Sequence, residues 1–551
     1  MTPLFWLKFL ILKIFFSPVQ RLFSPFNPIS SHYPSFFFPF RPTVAGAAQW
    51  YGNCIFSVQY NREEQTMRKN ITIDTDFIQE EMCCWGVPTL ALSVVREGME
   101  PFTAAFGDIA EKGRTADAHT AFCIASCSKA MTSALAAMLV SEGKLNYDTP
   151  VVEYLPSFAL ADPEASENTT LRDILCHRTG LGGHDGIWPV PETLDQFTRR
   201  FRYLLPSAPF RKKAQYSNIM YALAGRLCEQ VTGKDWSALM HEYIFSPLKM
   251  DESSCTADRL TRSGNWAVPH QVIEGRLTSL SVWNTDTVAP AASVNSTAAD
   301  MTRWLDFLVR KGETAEGKRL IEESVFEEMI SKQIDFPDFI SGDCLFPSDG
   351  YAFGWQTGAY KGRRIRKHTG KIEGYSSIHA FLPEEKLGVA IMMNLHSPTV
   401  SIMHAILYTV IDSLLGEKKE NWSEKFRPET PLTAADYDDC TVDIFRQRYP
   451  QAESLESSAK IPPSNFVGTY FAPGYGQLEI ISEGNGLFLC FRQSKLPLQP
   501  YWGNLFRAEG FKADILTLHL PVTFIFDPQG KAVCAQVPFE PLTADISFRR
   551  V

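Results

Sequence analysis

FCIASCSKAMTSALAAMLVSEGKL, residues 122–145, opens with a short β-like run and continues as an apolar helix. Ser126 and Lys129 lie near the start of this helix, and a spacing of three puts both side chains on one helical face. Free backbone N–H groups and the positive end of the helix dipole favour an anion there. The stretch therefore combines a hydroxyl, an amine and an anion-stabilising helix start.

This combination predicts a nucleophilic serine. A serine hydroxyl is a weak nucleophile until a base removes its proton. Lysine is such a base only where burial or a neighbouring charge disfavours its protonated form, and the apolar run AMTSALAAMLV supplies burial. Ser128 points in a different direction and is not the candidate. The alternative is that Ser126 merely caps the helix while Lys129 extends to solvent.

Two later stretches carry further candidate residues. In AQYSNIMYALAGRLCEQVTG, Tyr216 is a candidate proton shuttle and Asn218 a candidate hydrogen-bond partner for the acyl portion of a substrate. In RIRKHTGKIEGYSSIHAFL, His368, Thr369 and Gly370 begin a predicted strand, where glycine permits close approach of a ligand to the backbone. Taken singly, the first stretch is more often a helix start with a capping residue than a catalytic segment, and the second is an equally weak signal.

In this order and spacing, the three sets resemble the S-x-x-K, Y-x-N and K/H-T/S-G motifs of the serine β-lactamase and penicillin-binding-protein superfamily. The flanking text, including LRDILCHRTGL and HTGKIEGYSS, is similar to the branch that holds class C β-lactamases, D-aminopeptidases, esterases and acyltransferases. This resemblance covers residues from about 75 to 415. The terminal segment FVGTYFAPGYGQLEI resembles a lipocalin-like domain appended to such hydrolases.

The resemblance implies roles for individual residues. Ser126 would be the acylated nucleophile, Lys129 its activating partner and Tyr216 the general acid/base. Which of Lys129 and Tyr216 accepts the first proton stays open, because their titrations would be coupled. The backbone N–H groups of Ser126 and Lys371 would form the oxyanion hole. Asn218, Thr369 and Gly370, with His368, would bind substrate.

His368 departs from the pattern of several β-lactamase classes, which have lysine at this position. Histidine is mostly neutral near pH 7, so a fixed cation for a drug carboxylate is lost. Lys367 and Lys371 flank it, but odd offsets on a strand face the other side. The departure favours an esterase, peptidase or acyltransferase over a dedicated β-lactamase, and a large apolar acyl group, for instance one delivered as a thioester, would suit such a site.

Composition excludes several other classes. The 551 residues are 45% hydrophobic and 21% charged, with a formal net charge of −9, and no Lys/Arg run offers a nucleic-acid footprint. The 12 cysteines lack paired CxxC spacing, which favours reduced thiols. His177 and the pair His184–Asp185, near Cys176, fit no standard zinc pattern, so we expect neither metal nor cofactor. GxSxG, Walker and GxGxxG signatures are missing from the sequence.

The distribution of strands and helices predicts an α/β (α+β) fold. Strands near both ends of the catalytic region, with helices between them, indicate an antiparallel sheet flanked by helices and carrying a mostly helical insertion. Late alternating segments predict a small all-β, barrel-like domain. We predict an N-terminal extension (1–70), a serine-hydrolase domain (71–417), a linker (418–463) and a lipocalin-like β domain (464–551).

The N-terminal extension has an unusual composition. Phe5–Phe16 is strongly apolar, but Lys8 and Lys13 lie inside it rather than ahead of it, which suits a signal peptide poorly. A short membrane-associating anchor, a disordered extension and translated non-coding sequence ahead of a start at Met67 all remain open. The absence of a clean signal peptide favours a cytoplasmic location.

Three functions fit these residues. The first is a serine-dependent hydrolase of esters, amides or thioesters that acts through a Ser126 acyl-enzyme. The second is an acyltransferase that passes the acyl group to an alcohol or amine in secondary metabolism. The third is a catalytically silent scaffold, since fold does not imply function. The expected partner is a small acyl substrate, without nucleic acid, and with a membrane only through the N-terminal extension.

Overall fold

The computed structural model describes residues 69–110, 114–188, 192–273, 275–336, 343, 345–396, 401–426, 441–450, 461–513 and 516–551. Most of the predicted N-terminal extension, residues 1–68, lies outside the described residues. Residues 427–440 and 451–460 of the predicted linker also lie outside them.

A nine-stranded antiparallel sheet forms the centre of the larger domain, as the sequence predicts. In chain order its strands are β1 Thr89–Arg96, β2 Phe102–Ala110, β3 Arg114–Thr115, β4 Ile334–Asp335, β5 Gly350–Tyr351, β6 Gln356–Tyr360, β7 Arg363–Ile372, β8 Tyr375–Leu382 and β9 Leu387–Met393. Their order across the sheet is β4-β5-β6-β7-β8-β9-β1-β2-β3. The early strand β1 pairs with the late strand β9, so the two ends of the domain close one sheet around the helical insertion.

In the described residues, five helices of eleven or more residues pack against this sheet or fill the insertion. They are α1 Thr75–Trp85, α2 Ser128–Ser141, α3 Asn218–Thr232, α4 Ala298–Val309 and α5 Ser401–Leu415. Shorter helices are Val151–Tyr154, Pro163–Asn168, Leu171–Leu175, Leu194–Thr198, Trp236–Met240, Ser246–Leu248, Ala257–Arg262, Ala289–Ala292, Glu323–Ile330, Trp422–Phe426 and Ile444–Arg448. Across the ranges that the structure describes, every helix is too short or too polar to cross a bilayer.

Short strands and tight helical turns complete the described elements. The additional strands are Lys69–Asn70, Met99–Glu100, Phe122–Cys123, His270–Ile273, Arg276–Ser279, Asn295–Ser296, Leu395–His396 and Thr441–Asp443. The 3₁₀ turns are Ala125–Cys127, Asp185–Ile187, Phe201–Tyr203, Asp286–Val288 and Pro463–Asn465, and His241–Phe245 is a π-helical turn.

Both faces of the sheet are buried. On β1, Leu90, Leu92 and Val94 pack into the layer formed with α1 and α5. Ala91 and Val95 on the same strand face the opposite layer, which contains α2 and α4. This two-residue period explains why the central strands are almost continuously apolar, as expected for a sheet covered on both faces.

A closed barrel of eight antiparallel strands forms the C-terminal domain, as the late alternating segments predict. The strands are β10 Gly468–Ala472, β11 Gly476–Glu483, β12 Gly486–Phe491, β13 Ser494–Trp502, β14 Leu505–Ala513, β15 Leu516–Phe526, β16 Ala532–Val537 and β17 Ile546–Arg550. Each pairs with the next, and β17 returns to β10. Within the predicted linker, Thr441–Asp443 adds a parallel strand beside β15.

The barrel interior is filled by alternating apolar side chains. On β12, Leu487, Leu489 and Phe491 are buried while the residues between them are partly exposed. Aromatic rings cluster inside the barrel end that faces the larger domain, and they are Tyr475, Phe491, Phe511, Phe539 and Phe548. The barrel is therefore a packed body rather than an open channel at this end.

Candidate active site

Ser126 lies in the 3₁₀ turn that leads from the strand Phe122–Cys123 into α2. The hydroxyl of Ser128 donates to the carbonyl of Ala125 at 2.6 Å and accepts the N–H of Val294 at 3.0 Å, which fixes the turn from its buried side. Ala125 has φ of 46°, a left-handed conformation that costs a non-glycine residue energy. The Ser126 side chain is half-buried, whereas that of Ser128 is completely buried.

Lys129 is completely buried, so the alternative in which it extends to solvent is wrong. Its Nζ donates to Ser126 Oγ at 3.0 Å, to Asn218 Oδ1 at 2.7 Å and to the carbonyl of Ala291 at 3.1 Å. Three acceptors match the three N–H groups of an ammonium. Loss of one proton would leave an amine within hydrogen-bond distance of the serine hydroxyl.

Tyr216 and Asn218 reach Lys129 from the start of α3. The Lys129 Nζ lies 4.7 Å from the centroid of the Tyr216 ring. Ser217, between them, has the extended conformation of a helix cap, and its hydroxyl donates to the carbonyl of Gly182 at 2.9 Å. The turn into α3 therefore brings two side chains of the Y-x-N segment to the same amine.

Strand β7 passes directly beside the Ser126 turn. The Cys127 thiol donates to the carbonyl of His368 at 3.2 Å. A Cβ atom on Gly370 would lie 2.2 Å from the carbonyl oxygen of Ile124 and 3.1 Å from the Ser126 nitrogen, so only glycine fits. The Ser126 N–H and the strand that carries Lys371 are therefore adjacent, and the predicted oxyanion hole at these two N–H groups stays a prediction.

The His368 ring is buried rather than exposed at the cleft. Its Nδ1–H donates to the Thr369 carbonyl at 2.6 Å, so Nε2 accepts from the hydroxyl of Tyr351 at 2.8 Å. Burial and the charge of Lys129 hold the pKa of His368 well below its usual range. The ring is therefore neutral near pH 7, and the predicted role of His368 in substrate binding stays a prediction.

Lys367 points away from the cleft, as its odd offset on the strand predicts. Its Nζ forms a buried ion pair with Asp343 at 2.5 Å and also donates to the Phe346 carbonyl at 2.9 Å. The lysine before His368 therefore does not replace the missing cation.

His177 packs against the Tyr216 ring and binds the backbone of the next residue. Its Nδ1 accepts the N–H of Ser217 at 3.2 Å, and its ring centroid lies 4.6 Å from that of Tyr216 and 4.8 Å from that of Tyr351. Burial, together with the charge of Lys129, holds the pKa of His177 well below its usual range. In the sequence analysis, His177 was a candidate only as a metal ligand. The described residues contain no cluster able to hold a metal.

Asp185 is the site residue that sequence reasoning did not assign. Its Oδ1 accepts the Asn218 Nδ2–H at 3.0 Å and the indole N–H of Trp188 at 3.1 Å. The side chain is half-buried, and burial raises the pKa of its carboxyl. Asn218 thus connects Asp185 to Lys129 through a continuous chain of hydrogen bonds.

The C-terminal barrel holds the loop that carries Asp185. The His184 N–H donates to Glu540 Oε2 at 2.7 Å, and Nε2–H of His184 donates to the Leu205 carbonyl at 3.0 Å. His184 Nδ1 therefore accepts from the Tyr475 hydroxyl, 2.6 Å away. We define residues 182–188 as the Asp185 loop.

The fold and these contacts are those of the serine hydrolase class: a serine hydroxyl hydrogen-bonded to a buried lysine, on a sheet flanked by helices. The chain belongs to the Beta-lactamase family, whose model matches residues 76–408. A second family model, described as a domain of unknown function (DUF3471), matches residues 454–550. The protein is thus a member of the serine β-lactamase and penicillin-binding-protein superfamily.

Two curated relatives match most of the chain. The unguisins hydrolase ungD′ of Aspergillus campestris is 26% identical over 503 residues, which cover 86% of this chain and 91% of the relative. The unguisins hydrolase ungD of Aspergillus violaceofuscus is 28% identical over 443 residues, covering 75% and 77%.

Solved structures share the fold. The octameric penicillin-binding protein homologue from Pyrococcus abyssi superposes with a TM-score of 0.54 at 20% identity, over 86% of this chain and 99% of that one. The D-amino acid amidase from Ochrobactrum anthropi superposes with a TM-score of 0.53 at 20% identity, over 62% and 97%.

Proposed function

We propose that this protein is an acyl hydrolase that forms a covalent ester on Ser126. The observation that carries the proposal is the 3.0 Å hydrogen bond between a completely buried Lys129 amine and Ser126 Oγ. A buried amine hydrogen-bonded to a serine hydroxyl is in position to take the serine proton, which is the role of the activating partner that a serine nucleophile needs.

In the acylation step, Ser126 Oγ bonds to the carbonyl carbon of the substrate while its proton passes to the Lys129–Tyr216 pair. The carbonyl oxygen becomes an oxyanion, which the N–H groups of Ser126 and Lys371 would stabilise by about 3–4 kcal/mol each. The bond to the alcohol, thiol or amine leaving group then breaks, and the leaving group takes the proton. Asn218 would hold Lys129 in position during both proton transfers.

In the second step, water attacks the ester on Ser126, gives its proton to the same pair, and releases the free acid and the serine hydroxyl. The names of the relatives support hydrolysis: two are unguisins hydrolases, and one structural neighbour is a D-amino acid amidase. Because His368 is neutral, this strand position carries no fixed cation. The absence of that charge supports a substrate that does not depend on a cation there for binding.

The test measures products rather than substrate loss alone. Esters, thioesters and amides with short and long acyl chains are incubated with the purified protein, with and without alcohol and amine acceptors, and products are identified by mass spectrometry. We expect free acid in both conditions, and no turnover by Ser126→Ala. Ser141→Ala, on the same helix but hydrogen-bonded to the Ala137 carbonyl, should behave like the wild type.

Two results would contradict the proposal. Acylated acceptor that accumulates in place of free acid would identify an acyltransferase. Turnover by Ser126→Ala equal to that of the wild type would remove Ser126 as the nucleophile.

A further inference from the structure

The Asp185 carboxylate is a charged group at the cleft that the proposed reaction does not use. Its Oδ1 accepts two hydrogen bonds, from Asn218 and Trp188. Its Oδ2 accepts none from the described residues, and Asp185 forms no ion pair among them. One carboxylate oxygen is therefore fixed and the other is available to a ligand.

The electrostatic setting of this carboxylate favours a cation. Burial raises the pKa of Asp185, because the charged form loses part of its hydration. The charge of Lys129 also acts on this carboxyl, but Asn218 separates the two side chains, and the Glu540 carboxylate acts in the opposite direction. A bound positive group would restore the lost stabilisation, and hydrogen bonds to charged groups are stronger than neutral ones.

The geometry of the Asp185 loop holds the carboxylate before any ligand arrives. A Cβ atom on Gly183 would lie 2.4 Å from Asp185 Oδ2, so glycine leaves the room that this oxygen occupies. His184 has φ of 45°, a strained left-handed conformation for a non-glycine residue. Glu540 and Tyr475 of the barrel hold this conformation through the backbone and ring of His184. A preorganised charge costs little reorganisation on binding.

An aromatic pair lies beside the carboxylate. Trp188, whose N–H binds Asp185, packs against Trp283 with ring centroids 5.1 Å apart. Trp188 is buried, whereas Trp283 is only half-buried. A cation that also carries an apolar side chain would therefore meet a carboxylate and an indole surface together.

We propose that Asp185 is a specificity-determining residue that binds an ammonium group of the substrate, so that the preferred substrates carry a primary amine close to the scissile carbonyl. This inference rests on the proposed function, because the carbonyl would have to lie at Ser126. Asn218 links the two positions: it contacts Asp185 on one side and Lys129 on the other.

The test uses boronic acids, which add to a serine hydroxyl as tetrahedral adducts and need no leaving group. Both enantiomers of 1-amino-2-phenylethylboronic acid are compared with their N-acetylated forms, and dissociation constants are measured for the full chain. We expect the free amines of at least one enantiomer to bind the wild type about 10- to 100-fold more tightly than the acetylated forms, as for a hydrogen-bonded charge pair.

Variants separate charge from structure. In Asp185→Asn, the dissociation constants of the free and acetylated forms should differ by no more than about 3-fold. Asp185→Glu should keep part of the preference for the free amine, because the charge is kept. The matched control is Asp258→Asn, which removes an exposed carboxylate paired with Arg262 and should leave the preference unchanged.

Three outcomes would overturn this inference, and each is distinguishable from failure of the proposed function. They are equal binding of free and acetylated amines by the wild type, tighter binding of the acetylated forms, and an unchanged preference in a folded Asp185→Asn protein. Binding of neither form, or binding that survives Ser126→Ala, would instead reject the Ser126 acyl-enzyme itself, and the substrate class with it.

Discussion

The Ser126–Lys129 pair and the Asp185 loop meet at Asn218 but are assembled in different ways. Ser126 and Lys129 are three residues apart, and one helical turn is enough to bring them together. His184 in the Asp185 loop is held by Tyr475 and Glu540, which lie 291 and 356 positions further along the chain. The comparison teaches that the proposed chemistry depends on local structure, whereas the proposed recognition depends on docking of a second domain.

The largest effect should come from removing the local amine. Lys129→Met keeps the length of the side chain but removes the donor to Ser126, Asn218 and Ala291. We expect kcat/KM to fall about 10³-fold or more, at the upper end of the range for a positioned acid–base group. The measurement is steady-state hydrolysis of the best ester found for the wild type.

The matched control for this change is Lys249→Met, which removes an exposed lysine paired with Glu316. It should leave kcat/KM within about 2-fold of the wild type, as for most surface substitutions. Activity of Lys129→Met within 10-fold of the wild type would show that the Lys129 amine is not the activating group.

A smaller but still large effect should follow from crowding the strand beside the nucleophile. In Gly370→Ala, the added Cβ would clash with the Ile124 carbonyl and press on the Ser126 nitrogen. We expect a roughly 100-fold fall in kcat/KM, comparable with loss of one oxyanion donor. Kinetics are paired with circular dichroism to show that the variant is folded.

Gly358→Ala on the neighbouring strand β6 is the control, because its Cβ would meet nothing closer than 3.6 Å. Its activity should match that of the wild type. Equal activity of the Gly370 and Gly358 variants would contradict the close approach of β7 to Ser126.

The distant region should respond more weakly and more selectively. Tyr475→Phe removes the hydroxyl that donates to His184 Nδ1 but keeps the ring in the barrel cluster. We expect about a 3- to 10-fold weaker binding of the free-amine boronic acid, the cost of one buried hydrogen bond, with little change for the acetylated form. Calorimetric titration of both ligands makes the comparison.

Tyr501→Phe is the barrel control, since that ring packs on Phe445 away from the Asp185 loop. It should leave both affinities unchanged. An equal loss of affinity for both ligands in Tyr475→Phe would show that the barrel supports the whole cleft rather than the Asp185 loop.

The last effect is on folding stability rather than on activity or binding, and it concerns the same contact at acid pH. Burial lowers the pKa of His184 to about 4, so between pH 6.5 and 4 the unfolded chain binds a proton that the folded chain does not. The free energy of unfolding should therefore fall as pH is lowered through this range, with His184 contributing on the order of 3 kcal/mol. The raised pKa of Glu540 acts in the opposite direction, since its contribution is lost as pH rises.

Comparison of the wild type with His184→Gln isolates the histidine contribution. Urea unfolding at pH 7 and pH 5 should show a smaller loss of stability in the variant. An identical pH dependence in the two proteins would mean that His184 is not held neutral in the folded chain.

The local region could be predicted from the sequence, and the distant region could not. Ser126, Lys129, Tyr216 and Asn218 were identified because their spacing and order are fixed within short segments. In the sequence, Asp185 was considered only together with His184, as a possible pair of metal ligands. That pair fitted no standard metal-site pattern. The hydrogen bonds of Asp185 form only when separate segments of the chain fold against one another. Such tertiary contacts leave no periodic pattern in the sequence from which they could be predicted.

The same distinction holds for the fold. Apolar runs predicted the central sheet, which is buried on both faces, and alternating segments predicted the barrel, which is buried on one face. The strand Thr441–Asp443 was not predicted, because its segment is polar and charged and its partner β15 lies more than 70 residues away. Edge pairing of this kind needs backbone hydrogen bonds and few apolar side chains.

Intact-mass spectrometry with a reactive acyl ester tests the central claim most directly. The wild type, quenched within its first turnover, should gain the mass of one acyl group, and peptide mapping should locate that mass on Ser126. The Ser126→Ala protein should gain nothing, and Lys129→Met should acylate at least about 100-fold more slowly. An acyl group found on another residue, or equal labelling of all three proteins, would contradict the account.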